Sequence, residues 1–106
     1  MTRLEALELI DRMPFVTTIK AHDDKTIIGF YKEALSGTDP LDWIRVVKSY
    51  YLRTHGQSGR KMTVSKQEAQ YGDSVKKLLE AELAKALNIP LEEVEGFIKT
   101  YLAEHI

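Results

Sequence analysis

The chain of 106 residues contains no cysteine, which excludes a disulfide framework and any thiolate-ligated zinc site. It also lacks an apolar run approaching the roughly 18–20 residues that a helical membrane span requires. Its first residues do not show the charged-then-apolar pattern of a secretory leader. Internal repeats and low-complexity tracts are missing too. So is an excess of charge of either sign: 15 Lys and Arg stand against 16 Asp and Glu, a net charge of −1. Taken whole, that balance argues against a polyanionic partner. What is present is an ordinary globular composition, 43% hydrophobic and 29% charged, too apolar for disorder. The length fits one domain over residues 1–106, able to bury about two-thirds of its unfolded surface without covalent staples.

The near-zero charge is a cancellation. Residues 1–40 hold five basic and seven acidic side chains, and residues 67–106 hold four and eight. Between them, Arg45, Lys48, Arg53, Arg60, Lys61 and Lys66 face the single Asp42. Local fields fall off over a Debye length of about 8 Å, so this central block acts on a partner more than the total does.

Helical periodicity dominates the pattern. Thr2 with Glu5 fits a capping box, and Leu4, Leu7, Ile10 and Met13 repeat at helical spacing until Pro14. Residues 15–21 include β-branched side chains but have no apparent partner strand, and read as an extended connector. A second helix starts at Asp23 or Asp24, presents Ile27, Ile28, Tyr31 and Leu35, and closes at Gly37. Asp39-Pro40 opens a third, with a stripe of Leu41, Ile44, Val47 and Tyr51, ending at Gly56. Residues 56–63 read as an exposed loop. Ser65 with Glu68 caps the longest helix, whose apolar face is Tyr71, Val75, Leu78, Leu79, Leu83 and Leu87. Gly72 interrupts its first turns at a cost of about 1 kcal/mol. Asn88 caps its end, and Pro90 starts a last helix with Leu91, Val94, Ile98, Tyr101 and Leu102 inward. The expectation is an all-α fold, a bundle of about five helices with no sheet.

Nothing converges into a catalytic constellation, and the chain is expected not to be an enzyme and to need no cofactor. His22, His55 and His105 are dispersed, whereas a metal site needs several convergent ligands. Without strands there is no nucleophile elbow for a serine. Asp23-Asp24 reads as helix capping rather than a catalytic pair, and no glycine-rich phosphate loop follows a strand. Residues 84–94 superficially match a helix-turn-helix. The recognition helix would, however, begin Leu91-Glu92-Glu93-Val94-Glu95, placing three carboxylates against phosphates. Two packed helices account for the segment better.

The central basic block carries the nucleic-acid signal. Arg45 and Lys48, three apart, can share one exposed helix face, with Arg53 further along and Arg60 and Lys61 in the following loop. These cations suit phosphate contacts without base readout; the competing reading is a solvated helix face and loop. Trp43 and the tyrosines Tyr50 and Tyr51 flank the block, where they serve either as core aromatics or as stacking platforms.

Three groups of residues, in order and at matching spacings, resemble the C-terminal helical domain of CarD-type bacterial transcription regulators. The first is Asp23-Asp24-Lys25 with Tyr31-Lys32-Glu33-Ala34-Leu35-Ser36-Gly37. The second is Val46-Val47-Lys48 with Tyr51-Leu52-Arg53. The third runs from Leu79-Glu80-Ala81-Glu82-Leu83 through Ala84-Lys85-Ala86-Leu87-Asn88-Ile89-Pro90 to Glu93-Val94-Glu95. The resemblance implies a cytoplasmic, nucleoid-associated domain that contacts promoter DNA weakly at the upstream edge of the open complex. A β-rich N-terminal module of the family, not seen in this sequence, binds the RNA polymerase β subunit, and Met1-Thr2-Arg3-Leu4-Glu5 is similar to the start of the family's linker helix. The chain is therefore expected to be a fragment or a divergent relative, and a monomer.

One departure concerns the site itself. Many relatives carry a tryptophan before the second helix as a minor-groove wedge, and the matching position here is Lys20, which offers a phosphate contact. Relatives also tend to be basic where this chain has Ile27 and Ile28. The expected DNA contacts are thus Arg45, Lys48, Arg53, Arg60, Lys61 and Lys20. The alternative is a helical protein-interaction module without DNA binding, with Ile27, Ile28 and Phe30 as an apolar patch.

Overall fold

Every helix begins with free N–H groups that need acceptors, and the caps that supply them set the element boundaries. A computed structural model describes residues 1–19, 23–55 and 64–104. Among them are five α-helices and no strand, the all-α bundle expected from periodicity. Helix α1 spans Arg3–Arg12 behind a capping box, with Glu5 N donating to Thr2 Oγ1 and Thr2 N to Glu5 Oε1, both at 3.1 Å. The bonds to Thr2 hold the Glu5 carboxyl below its ordinary pKa. A 3-10 turn over Met13–Phe15, containing Pro14, follows. Helix α2 spans Asp24–Ser36, and Asp23 Oδ1 accepts from Thr26 N at 2.7 Å.

Helix α3 spans Pro40–His55, with Asp39 Oδ1 accepting from Leu41 N at 3.0 Å. Helix α4, Lys66–Leu87, is capped by Ser65 Oγ, which accepts from Glu68 N at 3.1 Å. It ends at Asn88 in the left-handed region, φ 58°, a conformation asparagine tolerates better than most residues. Pro90 is extended and precedes a 3-10 turn, Leu91–Glu93, so α5 begins only at Val94 and runs to Glu104. The predicted loop at residues 56–63 and the end of the predicted connector, residues 20 and 21, lie outside the described residues.

The longest helix is the axis of the bundle. Helices α2 and α3 pack along α4, and α1 and α5 meet it less extensively. Ile10, Tyr31, Val46, Val75, Leu83, Leu87 and Val94 are completely enclosed. Arg3 Nη1 donates to Leu87 O at 2.9 Å, joining the start of α1 to the end of α4. That places a cation where the helix dipole is negative. Trp43 is buried, and its indole N–H donates to Ala34 O at 2.9 Å, locking the corner between α2 and α3.

Three apolar residues assigned inward by spacing are outside: Leu4 is 66% exposed, Tyr51 58% and Leu91 52%. On α1 the buried face is Ala6, Leu9 and Ile10, with Met13 packed against it, one step round from the expected stripe. On α3 the inward residues are Trp43, Ile44, Val46 and Ser49. Leu91 falls in a 3-10 turn rather than an α-helix, which breaks the register used to place it. Gly72, a liability for helix propensity, is explained by packing. A Cβ there would lie 2.8 Å from the Tyr50 ring, so only glycine lets that ring rest on the α4 backbone. Among the described residues no helix is long and apolar enough to cross a membrane, and no group of three or more His, Asp or Glu side chains could hold a metal ion.

Candidate nucleic-acid interface

The basic block was expected to project from α3, and the geometry of its described members differs residue by residue. Arg45 has a side chain 35% exposed, against 18% for Arg53, and Lys66 at the start of α4 is exposed. Arg45 Nη1 lies 3.6 Å from Asp42 Oδ1, one helical turn back, and its guanidinium sits 6.0 Å from the centre of the Phe30 ring. Its Nε is buried without a hydrogen-bond partner. The Asp42 contact is longer than a good charge-assisted hydrogen bond, so the Arg45 head is incompletely satisfied inside the chain.

Lys48 does not join Arg45 in an exposed basic face. Its ammonium donates to three backbone carbonyls, Met13 O at 3.0 Å, Pro14 O at 3.1 Å and Val16 O at 2.8 Å. A lysine has three N–H donors, so this set saturates it. The carbonyls belong to the turn after α1, where Pro14 prevents the helix from continuing and leaves acceptors exposed. Lys48 therefore closes the α1–α3 joint. Close by, Ile19 N donates to Ser49 Oγ at 2.8 Å, fixing the strand-like segment after the turn along α3.

Arg53 is engaged more strongly still. Its Nε donates to Glu68 Oε2 at 2.8 Å and its Nη2 to Glu68 Oε1 at 2.9 Å, a bidentate pair. Glu68 is completely buried and the Arg53 side chain only 18% exposed. The Tyr31 hydroxyl donates to the same Oε2 at 3.1 Å. Burial first, then the Glu68 charge, pushes the Tyr31 hydroxyl pKa well above its ordinary value. The Tyr50 ring meets Tyr31 edge-on at 6.5 Å. Helices α2, α3 and α4 are thus pinned together by one buried carboxylate. Lys20, Arg60 and Lys61 lie outside the described residues.

No protein-family model matches the chain, and neither a curated protein nor a solved structure matches it. Function therefore rests on residues. At residues 84–94, Glu92, Glu93 and Glu95 are exposed while Leu87 and Val94 are core, the arrangement of two packed helices. Sequence reasoning overlooked Lys25 and Lys32, both exposed on α2. Their seven-residue spacing puts them on one face, a signal hidden by the acidic tally of residues 1–40. Lys32 sits 5.4 Å from the Tyr71 ring centre.

The surface beside Lys48 is apolar. A groove of about 480 Å³ is bounded by Ile44 and Val47 of α3, Leu79 and Leu83 of α4, and Ile98 and Leu102 of α5. Met13 and Pro14 form one wall, and Lys48, Lys76, Glu80 and Glu95 stand among its lining residues. The patch expected at Ile27, Ile28 and Phe30 is instead mostly interior, with Ile27 3% and Ile28 8% exposed and Phe30 half-buried.

Proposed function

We propose that this is a helical domain of the CarD-like transcription-regulator type, contacting promoter DNA weakly through phosphates and performing no catalysis. Its delivery to promoters by an RNA polymerase-binding module belongs to the same proposal. The observation that carries the DNA contact is Arg45: partly exposed, with its Nη1 held only by a long 3.6 Å contact to Asp42, for which a phosphate oxygen can compete. Supporting the family reading, Tyr31 and Arg53, from two separate groups of resembling residues, meet on one carboxylate and hold three helices in place. In this reading Arg45 acts with Lys20, Arg60 and Lys61, while Lys48 and Arg53 shape the domain that carries them.

Fluorescence anisotropy with a forked promoter duplex tests the proposal. Weak, salt-sensitive binding is expected, and Arg45→Ala should flatten the log–log salt dependence by about one. No binding at low salt overturns it for this chain.

A second reading, a protein-interaction module, is favoured by the apolar groove between α3, α4 and α5. Apolar surface of this kind, rimmed by charge, is a common mark of a protein partner.

A further inference from the structure

The groove and the turn that walls it form a matched pair of features. Pro14 lines the groove, and the next residue, Phe15, is 85% exposed, the most exposed large apolar side chain among the described residues. Among the described residues it is left uncovered. The turn is nevertheless held firmly, because the Lys48 ammonium bonds the carbonyls of Met13, Pro14 and Val16, on both sides of Phe15. A projecting ring on an anchored backbone loses little freedom when it docks, which is the condition for an effective contact residue.

We propose that this face is an interface with a second copy of the chain, in which Phe15 of each copy enters the groove of the other. This rests on the interaction-module reading and names its partner. A two-fold interface is self-complementary: the same patch must supply both the projection and the recess. Here they are neighbours in sequence and share one wall. Charge points the same way. The rim carries both signs, with Lys76 and Glu80 one turn apart on α4, so antiparallel packing of two α4 helices sets a cation opposite a carboxylate.

Sedimentation equilibrium of the full chain from micromolar to millimolar concentration provides the test. The expected result is a mass rising from one chain towards two and no further. Phe15→Ser should weaken the association by roughly tenfold or more, with helical circular dichroism unchanged. Leu4→Ser, at an exposed position outside the groove, should leave it intact. Association that persists undiminished in Phe15→Ser, or falls equally in Leu4→Ser, overturns the proposal. So does a chain that remains monomeric throughout. In that last case, a leucine-rich amphipathic peptide is titrated while the amide signals of Val47 and Ile98 are followed. Shifts there mean that only the choice of partner has failed; unchanged signals mean that the interaction-module reading fails with it.

Discussion

Two parts of the bundle treat polar and apolar chemistry in opposite ways. Where α2, α3 and α4 meet, a buried carboxylate is bonded by an arginine and a tyrosine, and a glycine makes room for a second aromatic ring. Where α3, α4 and α5 meet, leucines, isoleucines and a valine line an open groove with a bare phenylalanine beside it. Charges are thus drawn inside at one joint, while at the other the half-buried Val47, Ile98 and Leu102 reach the surface above the buried Ile44, Leu79 and Leu83. The contrast teaches that a residue's type does not give its job: the cations of α3 are partly structural, and part of the apolar set faces outward.

The largest effect that distinguishes the two parts comes from Arg53→Met. It leaves Glu68 buried beside one remaining hydroxyl donor, and removal of one partner from such a pair costs roughly 3–5 kcal/mol. Urea denaturation of the variant should show that loss; a midpoint close to that of the parent chain would mean that Glu68 is solvated and the contrast false. Lys48→Met comes next, because three carbonyls lose their donor while the aliphatic stem is kept. A loss of about 2 kcal/mol is expected, accompanied by faster amide exchange at Val16. An unaffected Val16 amide would show that the turn holds itself.

The smallest effect is a pH dependence. Tyr31 ionises at higher pH in the folded chain than in the unfolded one, so the stability it contributes is complete below the ordinary tyrosine value near 10 and declines as pH rises through and beyond it. Thermal midpoints should therefore fall in the alkaline range, and Tyr31→Phe should fall less steeply there. Equal alkaline slopes in the two chains would remove Tyr31 from the account.

The five helices were legible because their signals are local. Thr2 with Glu5 and Ser65 with Glu68 mark helix starts by side-chain chemistry within a single turn, and Asn88 and Gly37 mark ends. The roles of Lys48 and Arg53 were not legible, since their partners lie 32–35 and 15 residues away. A sequence displays a cation but not the acceptor that folding brings to it. Gly72 was misleading for the same reason: its helix cost is local, whereas the Tyr50 ring that requires it comes from another helix. Tyr51 and Leu4 show a finer limit. Adjacent stripes on an amphipathic helix differ by a single residue step of about 100°, and short helices carry too few turns to decide between them. Arg45, expected on an exposed face with Lys48, is only partly exposed, and the groove follows only from how three separated helices are set together.

The chain has a single tryptophan, and it sits in the corner that joins α2 to α3, with its ring N–H committed to the Ala34 carbonyl. That placement gives the molecule a built-in optical gauge. Indole emission responds to the polarity around the ring, so opening of this one corner registers as a shift towards longer wavelength. Compared with the helical circular dichroism of the whole chain, the colour of Trp43 separates loosening of one joint from melting of the bundle.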